Sequence, residues 1–290
     1  MYLQSIIKKN IFLQSVLNGI SQIMLQENII TGVLFLVGVS VGSLKLGVGL
    51  LAGSVIGNLT ALVLKFNTEK IKQGLFGFSS ALVGVAVLLF FKINLVSIGF
   101  LIIGAIVSSI IQNEFMKRNI PVFTFPFVLI TWIIYFTIKK IDANILSQTN
   151  SILLNDIDKY FFIIRGFGQV IFQDNIIIGI IFIIAVFISS SVAAIYGIIG
   201  AAISGILSYY FVPLNDISLG LMSYNAVLCA ITFSNKKIIE SVWALIAVIL
   251  SIIFTILMMK NNLMALTFPF VISSCIVLYL KNKLTQIKVY

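Results

Sequence analysis

At 290 residues, with 60% hydrophobic and 10% charged residues and a mean hydropathy of +1.15, the chain is too apolar for a soluble domain and belongs in a bilayer. The net charge of +10 invites a nucleic-acid partner, but the basic residues are scattered through short polar stretches, so membrane topology accounts for them and no nucleic acid is expected. The chain has no histidine, which excludes histidine acid–base chemistry and histidine metal sites; with no soluble domain and no clustered catalytic acids, neither an enzyme nor a cofactor is expected.

Lys8 and Lys9 precede only a short apolar run, without a small-residue cleavage site and a hydrophilic mature part behind it, so the N-terminus reads as mature protein. Residues 11–27 are bounded by polar residues and too mixed to span, which predicts a re-entrant half-membrane helix. Apolar runs at 29–44, 46–64, 74–91, 93–112 and 120–138 follow as five candidate spans. A polar connecting loop at 141–159 and a second re-entrant segment at 160–174 come next, and then runs at 176–190, 191–212, 220–234, 237–258 and 263–280. A crossing needs roughly 20 residues, so the expectation is an all-α polytopic membrane protein of about ten transmembrane helices plus two re-entrant helices. With the N-terminus inside, Lys8, Lys9, Lys65, Lys70, Lys72, Lys117, Arg118, Lys236, Lys237, Lys281, Lys283 and Lys288 fall on the cytoplasmic side. The remaining seven of the 19 basic residues, Arg165 among them, fall in outside segments, which predicts cytoplasmic termini at a cell (inner) membrane.

Small residues recur at four-residue spacing: Gly38 with Gly42, Gly49 with Gly53 and Gly57, and Gly197 with Ala201 and Gly205. Such stripes let helix backbones approach in lipid, and they are read as packing faces. Cys229 and Cys275 lie in apolar runs, where a thiol behaves as a small hydrophobe.

The pentapeptide Thr124-Phe-Pro126-Phe-Val128 returns as Thr267-Phe-Pro269-Phe-Val271 in a chain with four prolines. Two more blocks repeat in the same order. Gly19-Ile-Ser-Gln22 through Gln26-Glu27-Asn28 to Gly32 falls on Gly166-Phe-Gly-Gln169 through Gln173-Asp174-Asn175 to Gly179, at an offset of 147. Gly74 to Leu82 falls on Gly220 to Leu228 at an offset of 146. The first repeat is assigned to 1–140 and the second to 160–290; five spans in each reverse the entry direction of the second, which predicts inverted-topology repeats.

Within the repeats, Gln22 and Gln169 are candidate solute ligands, with interhelical bonding as the alternative, which is favoured for Gln26 and Gln173. Glu27 and Asp174 are matched acids that could couple an ion, but each precedes an asparagine in a helix-capping context, so capping or interfacial exposure is the preferred reading. No other charge interrupts a confident span, and a neutral permeant follows. Proline in each pentapeptide is expected to bend or break its helix near mid-membrane, exposing carbonyls beside the Thr124 and Thr267 hydroxyls; the alternative is a kink with threonine bonded to its own helix. Phe78 and Tyr224 stand at matched positions and could equally be core or lipid-facing aromatics.

Taken together, these blocks resemble the bacterial and animal urea transporters, from about residue 17 to 280. The resemblance implies passive, channel-like passage of urea through a pore between the two inverted repeats of each subunit of a homotrimer in the lipid bilayer. It implies that the opening segments are pore helices, that Gln22 and Gln169 extend ladders of acceptors for urea N–H groups, and that Thr124 and Thr267 border the narrow centre. Phe78 with Leu25, and Tyr224 with Phe172, would form flat slots at the pore ends, and Leu82 and Leu228 would wall the constriction. Three positions depart from the family pattern. Leu25 replaces an aromatic, Ser79 replaces an asparagine that Asn225 retains, and Tyr224 adds a hydroxyl to its slot. These leave another small neutral amide or ammonia open as the solute, and an ion-coupled carrier using Glu27 and Asp174 as the other alternative.

Overall fold

In lipid, every backbone amide must find its partner within the protein, and a helix is the local way to do so. A computed structural model describes residues 10–147 and 156–287, so Lys8, Lys9, Lys288 and positions 148–155 of the expected loop lie outside the described residues. The elements in order are α1 Ile11–Ser21 with a 3-10 turn Gln22–Met24, α2 Ile29–Gly42, α3 Leu44–Val63, α4 Thr68–Lys72, α5 Phe78–Phe90, α6 Leu95–Lys117 and α7 Phe125–Ile141. After 3-10 turns at Ala143–Ile145 and Asp156–Tyr160 come α8 Phe162–Gln169, α9 Ile176–Ser189, α10 Ser191–Ser208, α11 Leu214–Ser218, α12 Tyr224–Thr232, α13 Ile238–Lys260 and α14 Phe268–Ile287. Each apolar run therefore holds one helix. Among the described residues four of them, α3, α6, α10 and α13, are long and apolar enough to cross a membrane, and α1 with its 3-10 turn and α2 pass that test together although bent by 75°.

Short polar side chains set the boundaries. Asn28 Oδ1 accepts from the amides of Ile30 and Thr31, Ser43 Oγ from Leu46, Asn94 Oδ1 from Ser97, Asn175 Oδ1 from Ile177 and Ser190 Oγ from Ala193. Each satisfies an amide that the first helical turn leaves without a partner. The exterior is apolar, with Leu95 89% exposed and Val41 71%, while Ser54, Asn58, Ser80, Ser109 and Asn225 are fully buried. Apolar side chains facing out over buried hydroxyls and amides are what a hydrocarbon solvent favours.

The chain forms two compact units, Met1–Leu153 and Leu154–Tyr290. In the first, α3 lies on α5 along Gly49, Gly53, Gly57 and Gly84. A Cβ on Gly53 would stand 2.2 Å from the Ser80 carbonyl oxygen, and one on Gly84 would stand 2.1 Å from that of Gly49. Ser80 Oγ donates to the Ala105 carbonyl at 2.7 Å and Ser109 Oγ to that of Gly57 at 2.9 Å, so α3, α5 and α6 are also joined by hydroxyls. The pairing of Gly38 with Gly42 does not extend this face: Gly38 is buried, but Gly42 is exposed at the end of α2.

In the second unit, α10 offers its small residues in two directions. Gly197 and Gly205 receive the rings of Phe167 and Phe162 from α8, and Gly200 receives Ala230 of α12. Ser204 Oγ donates to the Met222 carbonyl at 2.5 Å, and Lys281 on α14 pairs with Glu240 on α13 at 2.5 Å.

Candidate functional site

The candidate site residues sit at helix ends or within one turn of them. In the first unit α1 tightens into its 3-10 turn and reverses at Leu25, which has φ 58°, with the Leu25 amide on the Gln22 carbonyl at 2.9 Å. In the second unit α8 ends at Gln169 and reverses at Phe172, φ 57°, whose amide reaches the Gln169 carbonyl at 3.1 Å. A left-handed residue closes a helix end, and glycine would do so at less cost than leucine or phenylalanine. Both glutamines donate sideways into a neighbouring turn: Gln22 Nε2 to the Gln73 carbonyl at 3.1 Å, and Gln169 Nε2 to the Leu219 carbonyl at 3.0 Å. One N–H of each amide is thereby committed, and the oxygen end remains an acceptor. Gln26 and Gln173 instead bond within their own turns, to the carbonyls of Met24 and Ile171, and so are not interhelical ties.

The accepting turns depend on glycine. Gly74 and Gly220 have φ +78° and +77°, and a Cβ on either would lie 2.2 Å from the Gly19 nitrogen or 2.6 Å from the Gly166 nitrogen. Only glycine meets both conditions. From these turns start α5 and α12, which place Phe78 and Tyr224 at their first residues and Leu82 and Leu228, both fully buried, one helical turn on.

The proline blocks behave differently from expectation. Pro126 and Pro269 neither kink nor break a helix; each is the second residue of one, α7 or α14. The first bonds run from the Val128 amide to the Thr124 carbonyl and from the Val271 amide to the Thr267 carbonyl, both at 3.1 Å. An N–H at the proline positions would have no partner inside these helices, so none is lost. Thr124 and Thr267 are buried just ahead of the first turns, each preceded by a left-handed residue, Phe123 at φ 44° and Leu266 at φ 45°. Thr124 places no side-chain bond on its own helix cap.

The Tyr224 hydroxyl donates to the Leu266 carbonyl at 2.7 Å, which also accepts from Asn225 Nδ2 at 3.2 Å. Asn225 Oδ1 accepts from the Phe270 amide at 3.2 Å, so α12 is tied to the start of α14 beside Thr267. Ser79, at the matching position of the first unit, faces Gln112 Oε1 on α6 at 3.5 Å.

Arg165, one of the seven basic residues placed in outside segments, does not lie on an exposed loop. It is a buried residue of α8, 7% exposed, paired with Asp158 and bonded to the Ser218 carbonyl. The signal that could have found it is its spacing: it lies four residues before Gln169, at the position of Asn18 before Gln22. Glu27 is exposed and Asp174 half-buried at the helix breaks, where Asn28 and Asn175 do the capping. A cavity of about 480 Å³ beside Phe162, Gly205 and Tyr209 contains none of the candidate residues. On α11, burial raises the Asp216 carboxyl above its ordinary range.

A family model described as urea transporter matches residues 13–282. The chain belongs to the urea transporter family. Urea transporter 1 of Rattus norvegicus is 28% identical, over 76% of this chain and 62% of the rat protein, and that of Mus musculus matches to the same extent. Urea transporter 1 of Ovis aries is 25% identical, over 94% of this chain and 78% of its own length. The chain thus spans about three fifths of the rodent relatives' length. Family membership and the apolar helices make this a multi-pass membrane protein. Within the urea transporter match lie all ten candidate residues: Gln22, Leu25, Phe78, Leu82 and Thr124 in one unit, and Gln169, Phe172, Tyr224, Leu228 and Thr267 in the other.

Proposed function

We propose that this urea transporter conducts urea passively, by a channel-like route that each unit helps to line. The observation that carries the reading is the twice-built glutamine: Gln22 and Gln169 each anchor one N–H on the Gln73 or Leu219 carbonyl and bring an amide oxygen that can accept. Urea is planar and neutral and carries only N–H donors and one carbonyl. Each hydrogen bond it sheds without replacement costs about 1–3 kcal/mol. Acceptors on Gln22 and Gln169, the Thr124 and Thr267 hydroxyls and the carbonyls of interrupted helices offset that loss, while Leu82 and Leu228 reject hydrated ions. Phe78 with Leu25, and Tyr224 with Phe172, hold the flat solute at the two ends.

In this reading α1 and α8 are the re-entrant helices, ten helices cross the bilayer, the repeats at 1–140 and 160–290 are inverted about the pore, and the protein is a homotrimer of the cell membrane with cytoplasmic termini. The relatives named urea transporter 1 support urea as solute, and the left-handed turns that recur in both units support a repeat. Radiolabelled urea entry into proteoliposomes tests it: fast or saturable entry without pH or sodium gradients is the expected result, and entry no faster than into empty liposomes refutes it. Faster entry of methylurea or ammonia than of urea would move the assignment to the alternative solutes. Dependence on a gradient, lost on neutralising Glu27 and Asp174, would favour an ion-coupled carrier.

A further inference from the structure

Arg165 and Gln169 lie one turn apart on one face of α8. Arg165 Nη1 donates to the Ser218 carbonyl at 3.1 Å, and Gln169 Nε2 donates to the next one, Leu219, at 3.0 Å. Two successive carbonyls are thus gripped from one helix, directly before Gly220 with its positive φ. In the other unit Asn18 Nδ2 and Gln22 Nε2 grip the successive carbonyls of Lys72 and Gln73, at 2.8 and 3.1 Å. The grip is the same, but its chemistry is not. Asn18 is neutral, whereas Arg165 brings a cation into a site where it is 7% exposed, and a buried cation without a counter-charge is strongly destabilising. Asp158, in the 3-10 turn leading into α8, supplies the counter-charge at 2.6 Å from Nη2. The guanidinium fork serves both partners at once, which a single ammonium does not reproduce.

We propose that Arg165 is a positioning residue for the Gln169 end of the solute route: it fixes the turn Ser218–Gly220 that orients Gln169, and Asp158 holds it in place. One end of the route is therefore built on a buried ion pair and the other on neutral amides. This rests on the reading of Gln169 as a solute acceptor.

The test uses the whole protein with R165K, R165N, D158N and R165N/D158N, and reads hydrogen exchange of the 216–221 amides together with urea flux against concentration. R165K, R165N and D158N should speed exchange of that turn by about tenfold. The double variant, which restores the neutral chemistry of Asn18, should return to within about threefold of the parent. In R165K the half-saturating urea concentration should rise about fivefold with maximal flux kept within about twofold. The proposal is overturned by unchanged exchange in R165K and R165N, by a double variant no better than R165N, or by a fall in maximal flux at unchanged half-saturation. If R165N does not fold, the comparison of R165K with the double variant decides. If the parent protein moves no urea, the transport reading fails, while the exchange measurements still uphold or overturn the fixing of the turn.

Discussion

The Leu266 carbonyl, one residue before Thr267, holds two donors, Tyr224 Oη and Asn225 Nδ2. Tyr224→Phe leaves Asn225 in place, so the fold should lose only about 1 kcal/mol in thermal unfolding. The released lone pair should lower the half-saturating urea concentration by about twofold, and a rise instead would mean that the hydroxyl itself serves the solute. Asn225→Ala strips partners from both Leu266 and Phe270 and should cost about 2 kcal/mol or more. Thr124→Val and Thr267→Val keep shape and lose a hydroxyl; each should slow urea flux about tenfold while the protein stays folded, and unchanged flux would remove the assignment to the narrow centre. Asp216 is held above its ordinary range by burial, so the native state keeps its proton longer than the unfolded chain does. Its contribution is present at acid pH and lost as pH climbs through the raised value; Asp216→Asn should flatten that part of the curve of melting temperature against pH.

Among the helices, the polar–apolar rhythm of the chain shows where each lies, since every predicted run holds a helix and Asn28, Asn175, Ser43 and Ser190 mark starts. What the rhythm does not carry is side and direction. Proline announces a missing N–H but not which flank is helical, so Pro126 and Pro269 read as breaks when they are beginnings. The burial of Arg165 is not legible in the sequence because its counter-charge Asp158 is found only by folding. The tyrosine hydroxyl of Tyr224 is visible in sequence, but its acceptor is 42 residues away. Packing is equally selective among glycines. Gly53→Ala would drive a Cβ against the Ser80 carbonyl at 2.2 Å and should cost about 2 kcal/mol, with loss of α3–α5 packing seen in thermal melts. Gly99→Ala in α6 meets nothing within 4 Å and should stabilise by about 0.5 kcal/mol.

Across the molecule, large aliphatic side chains are exposed while many hydroxyls and amides are buried beside an apolar core, so the solvent that the fold is matched to is lipid. On the proposed reading of a neutral solute, the matched acids Glu27 and Asp174 carry no coupling step. Glu27→Gln with Asp174→Asn should leave urea flux within about twofold of the parent at any sodium or proton gradient, and a larger loss would reopen the carrier reading. The two helix reversals carry one more implication. Leu25 and Phe172 occupy a backbone geometry that a glycine would fill at about 1 kcal/mol less. The packing of each half-buried side chain therefore holds its turn in that geometry. Leu25→Gly and Phe172→Gly relieve the backbone but give up that packing, so they should melt no higher than the parent and discriminate less between urea and bulkier amides.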